Sequence, residues 1–124
     1  MRTLPPDVLQ FLSRFIVSVE QLEVLLLLHA EGGREWTAAE INQRLRSQEA
    51  SIEKWLVVLT SLGLVARNGA RSRLSPPSPE LAQAIARVAE AYRERPTRVI
   101  EAIFVEHDES LHDFVRAFNL RKNP

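Results

Sequence analysis

The chain has 124 residues, 45% of them hydrophobic, with sixteen basic and sixteen acidic residues and zero formal net charge. That length supports one substantial core rather than two independent ones, and the charge balance excludes a general attraction to polyanions, so any nucleic-acid binding depends on where the charges sit. The absence of cysteine excludes disulfides, thiol catalysis and cysteine-ligated metals, and fits a reducing compartment.

Pro5 and Pro6 precede Asp7, after which Val8, Leu9, Leu12, Phe15 and Ile16 recur at helical spacing, so Asp7 is expected to cap a first short helix. Ser18 and Gln21 form a capping-box pattern ahead of Leu22, Leu25, Leu26 and Leu28, a run that Gly32 and Gly33 should stop. This is expected to be the central core helix. Thr37 and Glu40 form a second capping-box pattern, opening a short helix through Ile41 and Leu45. A further helix is predicted from Gln48 or Ala50 to Ser61, burying Ile52, Trp55, Leu56 and Leu59 and ended by Gly63.

Leu64 to Ala66 then read as a strand, Asn68-Gly69 as a hairpin turn, and Arg71 to Leu74 as the returning strand. The prolines from Pro76 to Pro79 end this module. Between Glu80 and Arg95 the residues Leu81, Ala84, Ile85, Val88, Ala89 and Tyr92 make a long helical stripe, which Pro96 breaks. Another helix is expected through Val99, Ile100, Ile103 and Phe104, and a last short one through Leu111, Phe114, Val115 and Phe118. The apolar run Val24 to Leu28 is only five residues long, against about 20 for a membrane span, and the N-terminus lacks the pattern of a secretory signal. No membrane association and a cytoplasmic location are expected.

The segments WTAAEINQRL (Trp36 to Leu45), IEKWLVVLTSLGLV (Ile52 to Val65) and ARNGARSRLS (Ala66 to Ser75) resemble, in turn, the helix before the turn, the recognition helix with its exit, and the wing of a winged helix-turn-helix. Ser18 to Leu74 is similar in this respect to small bacterial transcriptional regulators of the MarR-like and PadR-like groups. The resemblance implies a mainly α fold with a small β-hairpin wing. It divides the chain into an N-terminal helical extension (1–17), the winged helix-turn-helix (18–75) and a C-terminal dimerisation or packing extension (76–124). It also implies a homodimeric, sequence-specific duplex-DNA-binding regulator, usually a repressor acting by promoter occupancy.

On that resemblance Gln48, Glu49, Ser51, Glu53 and Lys54 occupy the exposed front of the recognition helix, where such residues meet base edges. Gln48 would read adenine, Ser51 a base or phosphate, and Lys54 guanine or a phosphate. Glu49 or Glu53 would accept a bond from cytosine, but both approach phosphate, and at least one should cost affinity unless Lys54 or a nearby arginine neutralises it. Arg67, Arg71 and Arg73 flank the hairpin turn, and Arg44 and Arg46 lie on the approach to the recognition helix. Thr37 to Arg73 contains six basic and three acidic residues, an excess of three positive charges in a neutral chain. Alternation places Arg71 and Arg73 on one face of a strand, suited to phosphate contact. Trp55 belongs with the core and Trp36 with one end of the module, so neither is a base-stacking platform.

Glu101, Glu106, Asp108, Glu109 and Asp113 make the tail acidic and should keep it from phosphate. His107, Asp108, His112 and Asp113 do not share a helix face cleanly and carry no metal-binding motif, so no metal or other cofactor is expected. His29 reads as a structural residue. With no phosphate-cradling glycine loop, nucleophile elbow or metalloprotease motif, an enzyme is not expected. The competing reading is a winged-helix protein-interaction adaptor that regulates a transcription or signalling protein without touching DNA, favoured by the neutral total charge and by Glu49 and Glu53. Sensing of a small ligand is compatible with either reading.

Overall fold

The computed structural model describes residues 4–105. Helices α1 (Pro6–Phe15) and α2 (Val19–Ala30) are followed by strand β1 (Trp36–Thr37), helices α3 (Ala38–Leu45) and α4 (Glu49–Ser61), the hairpin β2 (Val65–Asn68) and β3 (Arg71–Leu74), and helix α5 (Pro79–Glu94). A sixth helix, α6, is described over residues 96–105. The expected helix through Leu111 to Phe118, and His107, Asp108, His112 and Asp113, lie outside the described residues.

The two capping boxes divide. At α3 the box is complete: Thr37 Oγ1 accepts from the Glu40 amide at 3.1 Å, and the Glu40 carboxylate accepts from the Thr37 amide at 3.0 Å. At α2, Ser18 Oγ accepts from the Glu20 and Gln21 amides, but Gln21 reaches one residue further back. Its Oε1 accepts from the Val17 amide at 2.7 Å and its Nε2 donates to the Phe15 carbonyl at 2.9 Å. Gln21 is fully buried, so this amide fastens the end of α1 to the start of α2 and satisfies backbone groups that would otherwise be stranded. Asp7 is not the cap of α1. Pro5 takes that position and Pro6 the first helical one, where a fixed φ and a missing N–H cost nothing. Asp7 instead pairs with Arg87 of α5 at 3.0 Å.

Helix α4 ends as the sequence predicts. Gly63 adopts φ +84°, the Leu64 amide donates to the Leu59 carbonyl and the Gly63 amide to the Thr60 carbonyl, which is the paired bonding of a Schellman stop. The hairpin turn is displaced by one residue from the expected Asn68-Gly69. Asn68 pairs with Arg71, leaving Gly69-Ala70 as the two-residue loop. Gly69 has φ +64° and Ala70 does not have a positive φ, which suits a turn needing glycine only at its first central position. Strand β1 was not anticipated. It pairs antiparallel with β3 through Trp36 and Ser72 and through Thr37 and Arg71, giving the three-stranded order β1-β3-β2.

Helix α2 lies at the centre, packed by α3, α4, α5 and β3. Leu22, Val24, Leu25 and Leu28 have no exposed surface, and Leu26 and Leu27 are partly buried against the same cluster. A helix enclosed on most sides is apolar all round rather than along one stripe. Ile41, Ile52, Leu56 and Leu59 add the helix-turn-helix to this cluster, and Ile85, Val88 and Ala91 of α5 join it. The α5 stripe is therefore covered within the chain, by α1 and α2. Each fully buried leucine contributes about 1.5–3 kcal/mol of transfer free energy, so this cluster fixes the relative placement of α3, α4 and the hairpin.

Candidate nucleic-acid interface

Helices α3 and α4 are joined by three residues, Arg46 to Gln48. Arg46 takes the left-handed conformation, φ 56° and ψ 50°, a cost of about 1–2 kcal/mol for a residue with a Cβ. Asn42 holds the turn by accepting from the Ser47 amide through Oδ1 at 2.8 Å. Gln48 occupies the N-cap position of α4 without a side-chain cap bond and is exposed.

From this turn the faces of α4 separate by helical phase. Ile52, Leu56 and Leu59 are buried. Ser47, Ser51 and Trp55, spaced by four, all reach the carboxylate of Glu20 in the first turn of α2. Ser51 Oγ donates to Oε1 at 2.5 Å, Trp55 Nε1 donates to Oε1 at 3.0 Å, and Ser47 Oγ donates to Oε2. Burial alone pushes the Glu20 carboxyl up, but the bonds from Ser47, Ser51 and Trp55 and the Lys54 ammonium outweigh it and hold the group below the ordinary carboxylate value. Trp55 packs partly buried against the core, as expected, while Lys54 Nζ sits 4.7 Å from its ring centroid. The exposed stripe is Ala50, Lys54, Val57 and Ser61.

Glu53 meets Arg67 of β2 in a two-point contact, Nη1 to Oε2 at 2.6 Å and Nη2 to Oε1 at 3.1 Å. Arg67 lowers the Glu53 carboxyl value and Glu53 raises that of the guanidinium. On the sheet's central strand β3, Arg71 lies 3.6 Å from the Glu40 carboxylate and donates to the Glu35 carbonyl at 3.4 Å. Arg44 pairs with Glu31 at 3.4 Å and lies 5.1 Å from the Trp36 ring centroid, with Arg34 at 3.6 Å over the same ring. Trp36 is fully buried beneath them.

No protein-family model matches the chain, and no curated protein matches it. Among solved structures it is similar to a MarR family transcriptional regulator from Streptomyces coelicolor, at 20% identity and a TM-score of 0.54, over 96% of this chain and 84% of that one. The fold is a MarR-like winged helix-turn-helix. Helix α3, the turn and α4 form the helix-turn-helix, and β1, β2 and β3 form the sheet that carries the wing.

Within this winged helix the eight candidate residues fall into two groups. Ser51, Arg44, Arg67 and Arg71 are engaged inside the chain, with Glu20, Glu31, Glu53 and Glu40 respectively. Arg46, Gln48, Lys54 and Arg73 are exposed, and the three cations among them form no ion pair with the described residues. Of the six basic residues from Thr37 to Arg73, Arg44, Arg67 and Arg71 are paired with carboxylates, while Arg46, Lys54 and Arg73 form no ion pair among the described residues, Lys54 acting on the Glu20 carboxylate only at longer range. Glu20 is the residue that sequence reasoning passed over. Its position in the first turn of α2 signalled a helix start, and nothing local linked it to residues 27 to 35 positions away. Among the described residues no group of three His, Asp or Glu side chains comes together to hold a metal, and no helix is long and apolar enough to cross a membrane.

Proposed function

We propose that this chain is a cytoplasmic transcriptional regulator that binds duplex DNA as a homodimer, with α4 in the major groove and the wing along the phosphates. The observation that carries the reading is the set of exposed cations Arg46, Lys54 and Arg73, which form no ion pair among the described residues and are placed in the turn before α4, on its exposed stripe and on β3. Lys54 with Gln48 at the α4 N-terminus is suited to base edges, and Arg46 and Arg73 to phosphate. Residues 18–75 are assigned the DNA contact, and residues 1–17 and 76–124 packing and dimerisation. Exposed Leu9 and Val105, which line one groove between α1 and α6, support an apolar surface there for a second copy. Occupation of a promoter by such a dimer represses transcription.

The deciding experiment is selection of genomic duplex fragments by the purified protein at two salt concentrations, with Arg46→Gly and Arg73→Gln controls. Arg46→Gly removes a charge while relieving a left-handed backbone, so a loss of binding there reports charge and not misfolding. A shared palindromic site, with a salt slope reduced by about 0.9 for each phosphate contact removed, supports the proposal. Retention without sequence preference, unaffected by both variants, transfers the reading to a protein-binding winged helix. Glu49, exposed in the first turn of α4, is the observation that favours that second reading.

A further inference from the structure

We infer that Val57 reads the 5-methyl group of a thymine, so that each half-site of the target carries a thymine facing the middle of α4. The inference rests on the DNA-binding reading above and adds the base class that the helix selects. The exposed large hydrophobic side chains among the described residues are Leu9, Val17, Val57, Phe104 and Val105. Val57 alone belongs to the helix-turn-helix and wing, and it is 54% exposed.

Its position on the helix makes the exposure specific. At about 100° per residue, Ala50, Lys54 and Val57 share one stripe, and all three are exposed. On the flanking faces Glu20 takes Ser51 and Trp55, and Arg67 takes Glu53, while Glu49 stays exposed in the first turn. What remains forward is a cation between two small apolar groups, with no carboxylate in the stripe. A β-branched residue at a solvent-facing helix position has poorer helix propensity than the long polar residues usual there, so valine is unfavourable at this position in water alone.

The occupant follows from charge and chemistry together. Lys54, one turn before Val57, selects a polyanionic partner, and Arg46 precedes the same helix. The apolar group that a B-form duplex presents in the major groove is the thymine methyl, and short apolar side chains are its complement. A cation beside a methyl-sized apolar contact therefore matches a duplex edge in which a guanine or phosphate lies near a thymine.

The test uses the fragments recovered by selection. Each thymine in the shared site is replaced in turn by uracil, which removes only the methyl, and binding is titrated by fluorescence anisotropy for the full chain and for Val57→Ala, with thermal melts to establish that the variant folds. For the unsubstituted protein, one thymine per half-site should lose about threefold to fivefold in affinity on conversion to uracil, the scale of one buried methyl. Val57→Ala should bind the thymine duplex more weakly by a similar factor and be indifferent to uracil at that position. Indifference of the unsubstituted protein to uracil throughout a recovered site, or a full uracil penalty retained by Val57→Ala, overturns the inference and leaves DNA binding standing. Failure to recover any duplex overturns both.

Discussion

The indole N–H of Trp55 donates to the Glu20 carboxylate at 3.0 Å, joining residues 35 apart in sequence. The same carboxylate accepts from Ser47 and Ser51, so one side chain at the start of α2 holds both the turn before α4 and the helix's first turns. Glu20→Ala removes three charge-assisted bonds from a half-buried site where the freed donors are partly rehydrated, and should destabilise the fold by about 1–3 kcal/mol. Equilibrium urea unfolding checks this. Because the folded-state carboxyl value is depressed, the contribution is fully present above the unfolded value and is lost as pH falls through the folded one. The difference between Glu20→Ala and the parent should therefore narrow in acid below about pH 4.3, and a gap constant down to pH 2 would contradict the assignment.

Arg67 and Glu53 form a different kind of link, between the wing and α4. Both side chains retain solvent contact, 21% and 46% exposed, so screening limits the pair to about 1 kcal/mol or less of stability. Its larger effect falls on a polyanion. Arg67→Gln leaves Glu53 as an uncompensated negative charge on α4, whereas Glu53→Gln releases the Arg67 cation. Duplex affinity should fall with the first, rise with the second, and return near the parent value in the double variant. Anisotropy titrations of all four proteins at one salt concentration measure these changes. A duplex affinity left unmoved by Glu53→Gln would show that the pair does not hold Arg67 away from DNA.

Ser72 and Gln21 are both buried polar residues without exposed surface, and they should respond oppositely to removal. Gln21 bonds both the Phe15 carbonyl and the Val17 amide, so Gln21→Leu strands two backbone groups and should cost about 2–4 kcal/mol. Ser72 Oγ, on the inward face of β3 opposite Trp36, has no hydrogen-bond partner among the described residues. Ser72→Ala deletes an unpaired hydroxyl and should be neutral or stabilising by up to about 1 kcal/mol. Thermal melts of the two variants side by side decide the matter, and a destabilisation by Ser72→Ala above about 1 kcal/mol would reveal a partner for the hydroxyl.

The elements legible in the sequence were those governed by neighbours a few residues away. The Thr37-Glu40 box, the glycine stop at Gly63, and the core faces of α2 and α4 all follow from spacing within a single turn or two. Pro5-Pro6 was also a local signal, but its reading as a prelude to an Asp7 cap overlooked the preference of proline for the first helical position. The hairpin was found and its turn misplaced by one residue, because Asn68-Gly69 and Gly69-Ala70 offer the same glycine to two turn types. Strand β1 is two residues long, too short for any alternation to register, and exists because β3 offers Trp36 and Thr37 a partner. The site was less legible than the fold. Charge counts located the basic excess, but which cations stay out of ion pairs depends on Glu31, Glu40 and Glu53 meeting Arg44, Arg71 and Arg67, contacts set by tertiary packing.

Tyr92 connects α5 to the central helix, its hydroxyl donating to Glu23 at 3.0 Å. Burial, then the bond to Glu23 and the proximity of its charge, push the phenol up from 10.0 to about 12. A folded-state value above the unfolded one means that folding favours the protonated phenol. The associated stability is complete below about pH 10 and disappears as pH rises through about 12. Tyr92→Phe keeps the ring packing and removes both the bond and the titration. Half-buried Glu23 is then left partly to water, so the variant should be destabilised by about 1 kcal/mol at neutral pH. Between pH 10 and 12 the parent should lose stability faster than Tyr92→Phe, so that the two unfolding midpoints converge. Urea titrations at pH 7, 10 and 11 measure this, and curves that stay parallel would show that Tyr92 does not couple α5 to Glu23.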